Sequence, residues 1–193
     1  MTPVAFRFDA GPHAYIAVDT GETLQHITGM LEKTGWVDDL WFTEESRDRG
    51  TAVHQLTADY DLGALDVQTC VTPYRGYLLS HVAAMGILRP EILAVEEPIV
   101  HPVYRFGGRP DRVERIYQAV AVLEGKSGAK TKAHGVQTAL QAMLVAVRTG
   151  LPVEAIARYC LYWQGNGRFK LEEHKDRRDL TEARRVVRVC CGC

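Results

Sequence analysis

No stretch of the chain approaches the roughly 18 consecutive apolar residues of a membrane span. Its opening residues, Met1 to His13, lack the charged, apolar and small-residue order of a secretion signal. A protein without membrane contact, working in a cytoplasm, is therefore expected. Charge of one sign is also scarce. With 23 basic against 24 acidic residues the net charge is −1, so bulk positive charge cannot hold a polyanion and local clusters must decide. Cysteine is limited to five residues, three of them at the end as Cys190, Cys191 and Cys193, while Cys70 and Cys160 stand alone. A four-ligand zinc site has little support. An iron–sulfur cluster would need Cys70 as its fourth ligand, and a tail of reduced thiols is the expectation instead. Repeats, low-complexity tracts and linkers are missing too. What remains is 193 residues with 46% hydrophobic side chains, enough for one compact domain.

The pattern of apolar residues suggests the order of elements. Phe6 to Asp9 and His13 to Asp19 alternate around Gly11-Pro12, which predicts an N-terminal β-hairpin. A helix carrying Leu24, Ile27, Met30 and Leu31 is expected next, with Asp19 and Glu22 in capping-box relation before it and Gly35 closing it. A second helix runs from about Thr43 to Tyr60 and carries His54. A third spans Tyr77 to Leu88 and stops before Pro90. Three successive strands follow, from Ile92 to Val100, Val103 to Ile116 and Gln118 to Gly128. Helical spacing returns from His134 to Arg148 and ends at Gly150. Residues 156–163 and 168–174 flank Asn166-Gly167, a strong hairpin signal. A last helix is expected from Asp179, with Glu182 completing a capping box. The class is α/β (α+β): a central mixed β-sheet of about five strands flanked by helices, with the N-terminal hairpin added. We expect a single domain over residues 1–193, its core about 43–188 and residues 1–42 a decoration.

The chemistry concentrates in Pro110-Asp111 and Glu124-Gly125-Lys126. Side chains two apart in a strand share a face, so Glu124 and Lys126 point one way and Gly125 the other. If the strands turn tightly around Tyr117 and Gln118, Asp111 falls opposite Glu124, and two like charges so placed call for a cation between them. Mg²⁺ or Mn²⁺ suits such carboxylates and leaves positions for waters and a phosphate. Lys126 beside the ion is expected to have a lowered pKa, to orient or deprotonate the attacking water, or to stabilise charge on the phosphate. Together these residues suit phosphodiester hydrolysis.

The same residues resemble the PD-(D/E)XK nuclease superfamily, and most closely its RecB-like branch, which includes phage exonucleases. Arg49-Gly50-Thr51-Ala52-Val53-His54 is similar to that branch's upstream helical motif, Val95-Glu96-Glu97-Pro98 to the acidic segment before the Asp strand, and Gln137 to the start of its Gln-xxx-Tyr motif. The likeness runs from roughly residue 5 to 188 and implies a restriction-endonuclease-like core. It implies that His54, Asp111 and Glu124 hold the metal and that Lys126 assists catalysis. Glu96 or, equally, Glu97 takes a supporting place. Where the motif has Tyr this chain has Gln141, one turn from Gln137, so an amide replaces the phenol and stacking is lost. The implied partner is DNA, with a second copy of the chain or a helicase or recombination protein as a further possibility. The implied setting is a bacterium or phage-infected host.

Lys130 and Lys132, with Arg105, Arg109 and Arg112, could form a basic rim around the site. Two other motifs fail. Gly125-Lys126-Ser127 imitates the end of a P-loop, but Val120 stands where that loop needs glycine, and no Gly-x-Ser-x-Gly elbow occurs. An exonuclease acting in DNA recombination or repair is the reading the resemblance favours. Its rivals are an endonuclease of restriction, junction-resolving or defence type, and an inactive binding module on the same fold.

Overall fold

The computed structural model describes residues 5–11, 13–37 and 43–192. In chain order the elements are β1 (Phe6–Asp9), β2 (Ala14–Ala17), β3 (Thr23–His26), α1 (Ile27–Lys33), α2 (Glu44–Asp61), α3 (Arg75–Leu88), β4 (Glu91–Val95), β5 (Ile99–His101), β6 (Phe106–Gly108), β7 (Arg112–Ile116), β8 (Ala119–Lys126), α4 (Ala133–Thr149), β9 (Ala157–Trp163), β10 (Phe169–Glu173) and α5 (Arg177–Cys191). They build a mixed α/β fold with two five-stranded mixed sheets.

The central sheet has the order β10-β9-β8-β7-β4, antiparallel except where β8 and β9 run parallel on either side of the α4 crossover. Alternation along β8 sends Val120 and Val122 to the α4 face, where they join Leu140 and Leu144 in the larger core. Ala121 and Leu123 go to the opposite face, packed with Val53 of α2 and Ala84 of α3. The turn at Tyr117-Gln118 forms as the register argument requires. Both residues adopt left-handed backbone, φ 47° and 72°, as a two-residue hairpin turn demands even without Asn-Gly, and Arg112 pairs with Leu123. The Asn166-Gly167 turn joins β9 to β10, with Gly167 at φ 82°.

The second sheet, β1-β2-β3-β6-β5, departs from expectation. The helix expected around Leu24 starts only at Ile27. Leu24 lies in β3, and His26, not an Asp19–Glu22 box, caps α1 by accepting from the Gly29 N–H. Asp19 and Glu22 face Arg105 instead. Two of the three long strands each divide. Glu96 in left-handed backbone (φ 51°) and Pro98 separate β4 from β5, and Pro110, which has no N–H for a ladder, separates β6 from β7. The short pieces β5 and β6 join the N-terminal strands, β6 lying parallel to β3. Besides the passage from β3 to β4 by way of the helices, the chain therefore passes directly between the two sheets at residues 96–98 and again at 109–111. The last helix begins two residues earlier than expected, capped by Asp176. Among the described residues no helix is long and apolar enough to cross a membrane.

Candidate metal centre

Both crossings between the sheets lie beside the mid-helix residue His54, and three potential ligands converge there. His54 Nδ1 is 3.2 Å from Asp111 Oδ2 and 3.9 Å from Glu96 Oε1. One ligand atom from each residue lies within 4.8 Å of the others, so the group could hold a metal ion, and it is the one such group among the described residues. Asp111 is buried and the other two are half-buried. Two carboxylates and an imidazole nitrogen form a donor set that suits a divalent ion. Backbone bonds hold the Asp111 carboxylate and tie the two crossings together. Asp111 Oδ2 accepts from the Gly125 N–H at 2.7 Å, and the Glu96 N–H donates to the Asp111 carbonyl at 3.0 Å.

The three groups of this cluster shift in different directions. Burial and the neighbouring Asp111 charge push Glu96 up to about 7, against the pull of Arg109. Burial would raise Asp111 as well, but the His54, Lys126 and Arg112 charges outweigh it and hold Asp111 at about 2. His54 would be lowered by burial, yet the charge and hydrogen bond of Asp111 turn its net shift upward.

Glu124 lies outside this three-ligand group. Its Oε1 accepts from Lys126 Nζ at 2.7 Å and from Gln137 Nε2 at 2.7 Å, and its Oε2 from Gln141 Nε2 at 2.5 Å. Gln137 Oε1 accepts a further bond from Lys126 at 3.0 Å. The two amides, one turn apart on α4, thus hold one carboxylate by both oxygens, and the Tyr-to-Gln departure becomes a second donor to Glu124. Glu124 is still near enough for its charge to raise both His54 and Glu96. Lys126 differs from expectation. Burial lowers its pKa, but the Glu124 and Asp111 charges prevail and its net shift is upward, so it stands as an ammonium.

The expected basic rim is only partly present. Arg112 is 1% exposed and its Nε pairs with Asp61, which also binds His81, so it serves the buried α2–α3 face and cannot reach a substrate. Alternation along β7 accounts for this: Val113 joins the α4-side core, so Arg112 faces the opposite side. Lys130 pairs with Glu172, Arg105 with Glu22, and Glu97 with Arg148, all on the surface. Arg109 alone of the rim residues touches the centre, its Nε 2.7 Å from Glu96 Oε2. Lys132 sits at the N-cap of α4.

Trp163 is a site residue that pattern reading missed. Its ring covers Gly125 so closely that a Cβ there would lie 1.9 Å from the indole, and its edge meets the His54 ring at a centroid distance of 5.3 Å. Glycine between Glu124 and Lys126 is the only trace of this in the sequence.

No family model matches the chain, and no curated protein matches it in sequence. Among solved structures the chain is similar to a "putative exonuclease" from Eubacterium rectale. That likeness has 14% sequence identity and a TM-score of 0.47, covering 85% of this chain and 73% of that one.

Proposed function

We propose that this chain is a divalent-metal-dependent deoxyribonuclease, an exonuclease acting on DNA ends in recombination or repair. The observation that carries the proposal is the convergence of His54, Glu96 and Asp111 on one point beside the Glu124–Lys126 pair. The PD-(D/E)XK resemblance, with Pro110-Asp111 leading into β7 and Glu124-Gly125-Lys126 ending its antiparallel neighbour β8, supports the same reading and supplies the exonuclease role.

His54, Glu96 and Asp111 would hold Mg²⁺ or Mn²⁺. Such an ion, when bound, supplies Lewis-acid stabilisation of a phosphate and activates a water as nucleophile. The protein's own part is to keep the ligands in place and to surround the phosphate with donors. Lys126, an ammonium, neutralises charge that builds up on the phosphate and donates a hydrogen bond to the attacking water. Glu124, held by Gln137 and Gln141, fixes the Lys126 Nζ and keeps its position from varying.

The test is cleavage of end-labelled linear DNA and of covalently closed circles, each with Mn²⁺ or with EDTA. We expect linear DNA to be degraded only with the metal, circles to stay intact, and Lys126→Ala to lose at least about a hundredfold in rate. Cleaved circles would make the enzyme an endonuclease. Activity that survives EDTA, or an unimpaired Lys126→Ala, would overturn the mechanism.

A further inference from the structure

The N-terminal sheet meets the metal centre around Glu96 and Arg109. Glu96 follows β4 in left-handed backbone, and its carboxylate is divided between two neighbours: Oε2 lies 2.7 Å from Arg109 Nε, while Oε1 faces His54 Nδ1 at 3.9 Å. The Arg109 guanidinium in turn lies over the ring of Phe8 in β1, 5.6 Å from its centroid, and Phe8 packs on Tyr15 of β2 with centroids 5.0 Å apart. A planar guanidinium offers its Nε–H in a fixed direction, and an aromatic face beneath it holds that plane.

We infer that Arg109, braced by Phe8, is a positioning residue that aims Glu96 Oε1 at the ion, so that the N-terminal sheet belongs to the metal centre. The inference rests on the metal-site reading above. It also has a sign of its own. A bare charge argument says that removing a cation beside a cation site tightens metal binding. Positioning says the reverse, because without Arg109 the Glu96 Oε2 loses its ion-pair partner and the carboxylate is free to turn its other oxygen away from His54.

The experiment is calorimetric titration of the full chain with Mn²⁺ in the absence of DNA. We expect Arg109→Gln to weaken Mn²⁺ binding about tenfold, a typical effect for a residue that orients a ligand. Arg109→Lys keeps the charge but loses the fork, and should weaken binding as well; it gives the same reading if Arg109→Gln does not fold. Phe8→Leu should weaken binding about threefold, the scale of a lost cation–π contact. In a Glu96→Gln background Arg109→Gln should add nothing, since the two act through one another. Unchanged or tighter binding by the Arg109 variants, or an equal loss with and without Glu96, overturns the inference. If wild type binds Mn²⁺, Asp111→Asn does not, and Arg109→Gln matches wild type, the metal site stands and only the positioning role falls. If wild type binds no Mn²⁺, both fall.

Discussion

Arg112 and Glu114 stand two apart on the face of β7 turned toward α2 and α3, and each shows a side chain's address overriding its type. Arg112 looks like a DNA contact in the sequence and is a buried partner of Asp61. Glu114 is fully buried, with both carboxylate oxygens unpartnered, and burial pushes it up to about 7 from an ordinary 4.5, against the pull of Arg112. The folded protein therefore keeps a proton on Glu114 that the unfolded chain releases near pH 4.5. The stability linked to that proton is complete below pH 4.5 and is lost as pH rises through about 7. Glu114→Gln has no such proton to lose. Chemical denaturation should show it gaining on wild type by about 2.5 kcal/mol between pH 5 and pH 8. Parallel profiles for the two proteins would mean that Glu114 is ionised in the fold.

The hairpin of β7 and β8 sets the spacing of Asp111 from Glu124 and Lys126, and its neighbour β9 closes the back of the site with Trp163. Gly125→Ala should destabilise the protein by about 3 kcal/mol, the upper range for overpacking, because the indole has to move. Trp163→Leu in that background should recover part of the loss in a thermal melt, and a melt no higher than that of Gly125→Ala alone would place the strain elsewhere. Local signals made much of this legible in advance. Helices α2 to α4 and the Asn166-Gly167 hairpin follow from periodicity and turn chemistry within a few residues; the Tyr117-Gln118 turn carries no such signature, and its register follows only from setting Asp111 opposite Glu124. The second sheet could not be foreseen, since the β3–β6 pairing joins residues about eighty positions apart and no short-range rule specifies it. Asp19 and Glu22 misled for the same reason: a capping-box spacing is local, but their partner Arg105 is not. The metal group was legible as residue types. The bonds that two amides of α4 make to the Glu124 carboxylate were not, because they depend on how α4 packs over β8.

Taken whole, the molecule has a net charge of −1 and no general attraction for a polyanion, so the proposed DNA chemistry must depend on an ion brought to one place. That place is the junction of the two sheets, where Glu96 lies on one crossing, Arg109 and Asp111 lie on the other, and α2 supplies His54. Separate sheets would leave the ligands on separate bodies; the double crossing puts them on one. A crystal of the protein soaked in Mn²⁺ and measured for anomalous scattering tests this most directly. The account predicts one strong peak about 2.0–2.2 Å from His54 Nδ1 and from one oxygen each of Glu96 and Asp111. A peak held by other residues, or none at saturating Mn²⁺, would contradict it.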